Sequence, residues 1–184
     1  FNLREKIGCF LWQFPPNFKF DRDRMAHFLS LLPHDTDAGL ELARNYEPRM
    51  EGKIALDVDK RRKLCHAVEI RHESFLDEDF IALLRKYKVA VVVADTAGKW
   101  PYIEDVTADF MYLRLHGDKE LYASGYTDEA LDRWASRIQA WSTGSQPGDA
   151  HLVSSKAPPA RKSRDIFCYF DNDIKVRAPF DARR

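Results

Sequence analysis

Short apolar runs alternate along this chain with segments whose apolar residues recur at helical spacing. Five apolar runs predict β-strands, at 6–14, 66–71, 89–94, 110–115 and 166–170. Four segments predict helices, at 21–32, 36–49, 77–87 and 127–141. The run at 89–94 is nearly unbroken in β-branched residues, which is typical of a strand covered on both faces. Strands that alternate with helices predict an α/β fold with a parallel sheet, either open or part of a barrel.

The segment 142–164 is different in composition. It is rich in Ser, Pro, Gly, Lys and Arg and shows no apolar periodicity. We therefore expect it to be a flexible loop inserted in one domain that spans residues 1–184. With 184 residues, of which 45% are hydrophobic, the chain is long enough for one core.

Charge and cysteine content restrict the class of protein. Lys+Arg and Asp+Glu both number 29, so global charge favours neither a nucleic-acid nor a membrane-surface partner. No apolar run approaches the roughly 20 residues that span a bilayer, and residues 1–6 lack the features of a signal peptide. Three well-separated cysteines, Cys9, Cys65 and Cys168, indicate reduced thiols. These observations predict a cytoplasmic protein.

Each of the five predicted strands ends in groups that form hydrogen bonds. These groups belong to Gln13, Glu69, Arg71, His72, Asp95, Thr96, Arg114, His116, Tyr169, Asp171, Asn172 and Asp173. In parallel α/β proteins, ligands bind beyond the carboxyl ends of the strands. Two segments are placed to close over such a site: 117–126, with Gly125 and Tyr126, after the fourth strand, and 95–102, with Gly98 and Trp100, after the third. The sequence therefore predicts one polar site at this edge of the sheet.

The side chains at this edge suit an anionic ligand. Arg71 and Arg114 carry guanidinium groups that match phosphate or carboxylate, and Glu69 or His116 could act as acid or base. The remaining predicted binding residues are His72, Asp95, Tyr126 and Asn172. An internal ion-pair network is the alternative for Glu69 and the two arginines. A metal site built from Glu69, Asp95, His116 and Asp171 is conceivable, but no His-x-His or His-Glu-x-x-His motif supports it, so no metal is assigned.

Five short motifs, taken in order, resemble the YecE-like family, also called domain of unknown function 72. They are LWQFPP at 11–16, EIRHESF at 69–75, ADTAG at 94–98, YLRLHG at 112–117 and YFDND at 169–173. The resemblance runs from Leu3 to about Ala182. It implies a bacterial protein with a TIM-barrel-like fold, of which this chain holds about the last five of eight strands, with the N-terminal strands missing. The family has no established reaction, so the resemblance leaves substrate and cofactor unknown.

Two functions from different classes fit the sequence. The first is a site for a small molecule bearing phosphate or carboxylate, in an enzyme that uses Glu69 and His116 for acid–base chemistry. The second is a non-catalytic binding module, associated with nucleic acid through the basic loop. That loop carries Lys156, Arg161, Lys162 and Arg164 without interleaved aromatic residues, so nucleic acid is not favoured. The sequence predicts no oligomeric state.

Overall fold

A parallel sheet of five strands forms the centre of the structure, a computed structural model that describes residues 3–174 and 176–184. The strands are β1 (Cys9–Gln13), β2 (Cys65–Glu69), β3 (Ala90–Asp95), β4 (Phe110–Leu115) and β5 (Asp165–Phe170). They lie in chain order across the sheet, and each neighbouring pair is parallel. The sheet curls into a half-barrel with helices outside it. This confirms the predicted α/β, TIM-barrel-like fold with five strands.

The helices begin where the sequence provides caps. They are α1 (Arg22–Ser30), α2 (Thr36–Ala43), α3 (Glu78–Tyr87), α4 (Asp128–Ser142) and a short α5 (Ala178–Asp181), with single 3₁₀ turns at Arg4–Lys6, Pro48–Met50 and Glu73–Phe75. The side chains of Asp21, Asp35, Asp77 and Thr127 accept backbone N–H groups of the first turns of α1 to α4. The predicted extension of α2 to residue 49 is wrong. Pro48 lacks a backbone N–H and disfavours a helical residue before it, so α2 ends at Ala43.

The two faces of the sheet carry different side chains, because successive residues of a strand point to opposite sides. The outer face packs large apolar residues against the helices, for example Val68 with Phe80 and Leu113 with Trp134. The inner, concave face is lined by Ala67, Ala90, Val92, Ala94, Phe110 and Tyr112. The short alanine side chains on this face leave space above the concave side of the sheet. The same face continues into the polar residues at the strand ends.

In the predicted loop 142–164, Ser142 is the last residue of α4, and residues 143–164 contain no helix or strand. Part of it is nevertheless anchored. The backbone N–H groups of Val153 and Ser154 donate to the buried carboxylate of Asp105, at 2.8 and 3.0 Å. The N–H of His151 donates to Glu104 Oε2 at 2.8 Å. Flexibility of the loop stays a prediction. Because these contacts hold residues 151–154, the prediction now concerns only the rest of the loop.

The three cysteines are free and half-buried. Burial raises the pKa of the Cys9 thiol to about 12 and that of Cys168 to about 11. Separately, none of the helices formed by residues 3–174 and 176–184 has both the length and the apolarity needed to cross a bilayer.

Candidate functional site

A buried carboxylate joins two arginines at the carboxyl edge of the sheet. Glu69, the last residue of β2, is fully buried. Its Oε1 accepts from Arg71 Nε at 3.0 Å, and its Oε2 accepts from Arg114 Nη1 at 2.6 Å. Arg114 pairs in register with Ala94 on β3. Because Ala94 has no side chain beyond Cβ, Arg114 can cross β3 and reach β2.

Three further residues, Gln13, His116 and Asp171, complete what we call the strand-end cluster, whose other members are Glu69, Arg71 and Arg114. Gln13 Oε1 accepts from Arg71 Nη2 at 2.7 Å and from Arg114 Nη1 at 3.0 Å. Asp171 accepts from Arg114 Nη2. Two guanidinium groups therefore face two carboxylates, and the charges balance. Burial lowers the pKa of Arg114, but the hydrogen bond and charge of Glu69 outweigh it and raise the pKa above its ordinary value.

His116 lies at the covered side of this cluster. The residue is fully buried, and the ring of Tyr122 packs edge-on against it with centroids 5.1 Å apart. Its Nδ1 is 3.2 Å from Asp171 Oδ2, but neither ring nitrogen has a hydrogen bond of good geometry within the described residues. Burial, and next the charge of Arg114, lower the pKa of His116. The imidazole is therefore neutral near pH 7.

We expect His116 to make folding stability depend on pH. Its folded-state pKa lies below the unfolded value of about 6.5, so the unfolded chain binds more protons between these two values. The stabilising contribution is complete above about pH 6.5 and is lost as the pH falls toward the folded-state pKa. Urea unfolding at about pH 7.5 and at about pH 5.5 measures this effect. Between these two pH values, the free energy of unfolding should fall less for His116→Gln than for the wild type. The exposed His27→Gln is the control, and equal losses in both variants would contradict the argument.

Four of the predicted binding residues lie outside the strand-end cluster: His72, which is described below, and Asp95, Tyr126 and Asn172. Asp95 follows Ala94 and points to the opposite face of the sheet, where its Oδ2 accepts from the Tyr126 hydroxyl at 3.1 Å. Asn172 donates to Ser124 O at 2.9 Å and to Asp181 Oδ2 at 2.8 Å. These bonds hold the segment 117–126 in place. The sequence-based grouping of Asp95, Tyr126 and Asn172 with the two arginines is therefore not what the structure shows, and their role in binding stays a prediction.

A cavity of about 390 Å³ lies beside Arg71, and we call it the Trp100 pocket. Its lining includes Arg71, His72, Glu73, Gly98, Lys99 and Trp100. The guanidinium of Arg71 lies 3.8 Å from the centroid of the Trp100 ring, and Lys99 Nζ lies 5.0 Å from it. His72 caps the 3₁₀ turn after it, since its Nδ1 accepts from Ser74 N at 3.0 Å. His72 thus borders the pocket without joining the cluster.

Sequence reasoning assigned no anion contact to two residues that the structure brings to the site, Gln13 and Asp171. Gln13 ends β1 and Asp171 follows β5, and each could have been found by extending the inner face of its strand. Trp100 was predicted only as part of the loop after β3 that could cover the site, and its stacking on Arg71 was not predicted. In the described part of the chain, no three His, Cys, Asp or Glu side chains group closely enough to hold a metal ion.

Comparison with known proteins identifies the family. The family model described as "Protein of unknown function DUF72" matches residues 1–184. The chain belongs to the DUF72 family. This confirms the resemblance to the YecE-like family. A search of curated proteins finds no match.

Solved structures of DUF72 family proteins share the fold. One from Thermotoga maritima matches with a TM-score of 0.61 and 23% sequence identity, over 97% of this chain and 56% of that chain. Two structures of a DUF72 family protein from Enterococcus faecalis match at 13% and 14% identity, with TM-scores of 0.61 and 0.56. Both matches again cover 97% of this chain, and 57% and 59% of theirs. The chain thus spans little more than half of these proteins, and at these identities the likeness shows the fold alone.

Proposed function

We propose that the Trp100 pocket binds a small molecule through a phosphate or carboxylate group, with Arg71 as its principal contact. The supporting observation is the way in which Arg71 is held. Glu69 fixes its Nε, Gln13 fixes its Nη2, and Trp100 lies against its planar face. Within the described residues, these bonds leave Nη1 without a protein acceptor. A guanidinium held on three sides loses little conformational entropy when it binds an anion.

The charges that line the pocket favour an anion only weakly, because cations and a carboxylate lie side by side. Lys99 adds a second cation on the Trp100 ring, whereas Glu73 adds an exposed carboxylate to the same lining. The charge of Arg71 is itself partly balanced by Glu69. We therefore expect modest affinity for the isolated anion, with the rest of a ligand supplying further contacts in the cavity.

The other members of the strand-end cluster have supporting roles in this proposal. Arg114 is engaged by Gln13, Glu69 and Asp171, so it meets a ligand only if the ligand displaces Asp171. Glu69 is a poor candidate for a base, since guanidinium groups engage both of its oxygens. His116 is the better candidate for acid–base chemistry, because it is neutral and because, among the described residues, neither ring nitrogen has a hydrogen bond of good geometry. Its use would require the segment 117–126 to open.

The structure of the basic loop supports the nucleic-acid alternative less than the composition of the loop does. Arg164 is buried and donates to Ser145 O at 3.3 Å and Pro159 O at 2.9 Å. Burial lowers the pKa of Arg164. One of the four cations in this loop is therefore committed to the protein itself.

The experiment is a calorimetric titration of the chain with inorganic phosphate. We expect Arg71→Gln to weaken phosphate binding by about tenfold or more, because it removes a charge-assisted pair. Glu73→Gln should strengthen binding, since it removes the opposing carboxylate. Arg44→Gln is the matched control, because Arg44 forms an exposed ion pair with Glu41 on α2. Equal affinity for wild type, Arg71→Gln and Arg44→Gln would contradict the proposal.

A further inference from the structure

A second cavity, of about 290 Å³, lies at the end of β3 on the opposite face of the sheet from Arg114. We call it the Trp134 pocket, and its lining includes Asp95, Thr96, Tyr102, Trp134, Arg137 and His151. It is bordered by α4 and by the anchored part of the 143–164 segment. Gly98 borders both this cavity and the Trp100 pocket, but no cation of the strand-end cluster lines it.

The floor of the Trp134 pocket holds a buried indole N–H beside a carboxyl group. Trp134 is 3% exposed, and its Nε1 has no hydrogen bond of good geometry within the described residues. Burial raises the pKa of Asp95, while hydrogen bonds from Tyr126 and Trp134 lower it in part. The indole N–H therefore lies within reach of the Asp95 carboxyl, but the contact is poorly aligned. A ligand atom that accepts from this buried N–H at better geometry is favoured.

The walls of this pocket are polar but balanced in charge. Arg137 lies 3.3 Å from Glu104 Oε1 and 2.9 Å from Asp149 Oδ2. Glu104 is fully buried and is also held by the His151 backbone. The charge of Arg137 is thus balanced by two carboxylates, although its Nη1 has no hydrogen bond of good geometry within the described residues. A charge balanced in this way attracts a neutral hydrogen-bonding group more readily than a free anion.

Aromatic rings form the remaining wall. Tyr102 makes edge-on contacts with Trp134 and with His151, at centroid distances of 6.4 and 5.3 Å. Aromatic faces with a few convergent hydrogen-bonding groups are the usual lining of small-ligand sites. The volume lies at the low end of such sites, which suits a molecule of monosaccharide size.

We propose that the Trp134 pocket binds a neutral, polyhydroxylated small molecule of monosaccharide size. One hydroxyl of the ligand accepts from Trp134 Nε1 and donates to the Asp95 carboxylate, which gives each group a well-aligned partner. A hydroxyl is suited to this position because it is both donor and acceptor. This site is separate from the proposed anion site, and neither depends on the other.

The test is a titration of the chain with D-ribose, D-xylose, D-glucose and D-galactose at up to about 10 mM, followed by calorimetry and ligand-observed NMR. We expect at least one of these sugars to bind. Trp134→Phe should weaken the binding of that sugar by about tenfold, because Phe keeps an aromatic ring but lacks the N–H. Trp141→Phe is the matched control. Trp141 lies on the same helix, is fully buried, and has an Nε1 without a hydrogen-bond partner in the part of the chain that the structure describes, but it does not line the pocket.

Each other outcome has a defined meaning. The proposal is overturned if none of the four sugars binds. It is also overturned if Trp134→Phe and Trp141→Phe bind the sugar with the same affinity. Competition between inorganic phosphate and the sugar would overturn it as well. If Trp134→Phe does not fold, Asp95→Asn replaces it, and unchanged sugar affinity in that variant contradicts the assigned contact.

Discussion

Replacing Glu69 with Gln is expected to lower the free energy of unfolding by about 3 kcal/mol or more. The side chain keeps its size, but it loses the charge that two guanidinium groups share. The side chains of Arg71 and Arg114 are only 13% and 16% exposed, so water cannot replace the lost partner well. The amide nitrogen of Gln would also place a donor against a guanidinium donor. Urea unfolding of the wild type and the variant at neutral pH measures the difference.

Glu73→Gln is the control for this experiment. It is the same chemical change four residues along the chain, at an exposed position, and we expect an effect within about 0.5 kcal/mol. If Glu69→Gln is as stable as Glu73→Gln, the arginines do not depend on Glu69. The preorganisation of Arg71, on which the proposed anion site rests, would then lack its main support.

Removal of the Asp105 carboxylate should also lower the free energy of unfolding strongly. Asp105 is buried and accepts from the N–H groups of Val153 and Ser154, and Ser154 is itself buried. Asp105→Ala leaves both donors without an acceptor, and we expect a loss of about 2–4 kcal/mol in the free energy of unfolding. The same urea measurements apply.

The matched control is Glu78→Ala. Glu78 accepts from the N–H of the next residue of that segment, Ser155, at 2.8 Å, but it does so in solvent, where water can take its place. Its removal should change stability little. If Asp105→Ala is also neutral, residues 151–154 do not pack as described, and the whole segment is the mobile linker that its composition predicts.

The alternation of side chains along a strand predicts part of the strand-end cluster. Glu69 ends β2 and Arg71 lies two residues further on, with apolar residues before and between them, so their common face follows from the sequence. Asp95 could not be placed in this way. β3 is apolar on both faces, so alternation along it does not reveal which face is concave, and Asp95 was grouped with the arginines although it points away from them.

The fold was predicted better than the loops that complete it. Each strand and the four longer helices follow from apolar spacing and from caps such as Asp21 and Thr127. The anchoring of residues 151–154 follows instead from Glu104 and Asp105. Those two carboxylates lie in a stretch without periodicity, and nothing in their sequence context names their backbone partners. The stacking of Arg71 on Trp100 is of the same kind, because it depends on the path of the loop after β3.

The most direct test of the proposed anion site is a crystal of the chain soaked in selenate, with anomalous diffraction recorded at the selenium edge. Selenate carries the charge and shape of a phosphate-like anion and is located without ambiguity by its anomalous signal. We expect a peak in the Trp100 pocket with a selenate oxygen about 3 Å from Arg71 Nη1, and we expect that peak to be lost in Arg71→Gln. A peak found only among Lys86, Lys88 and Arg161, the cations at the opposite edge of the sheet, would contradict the proposed anion site.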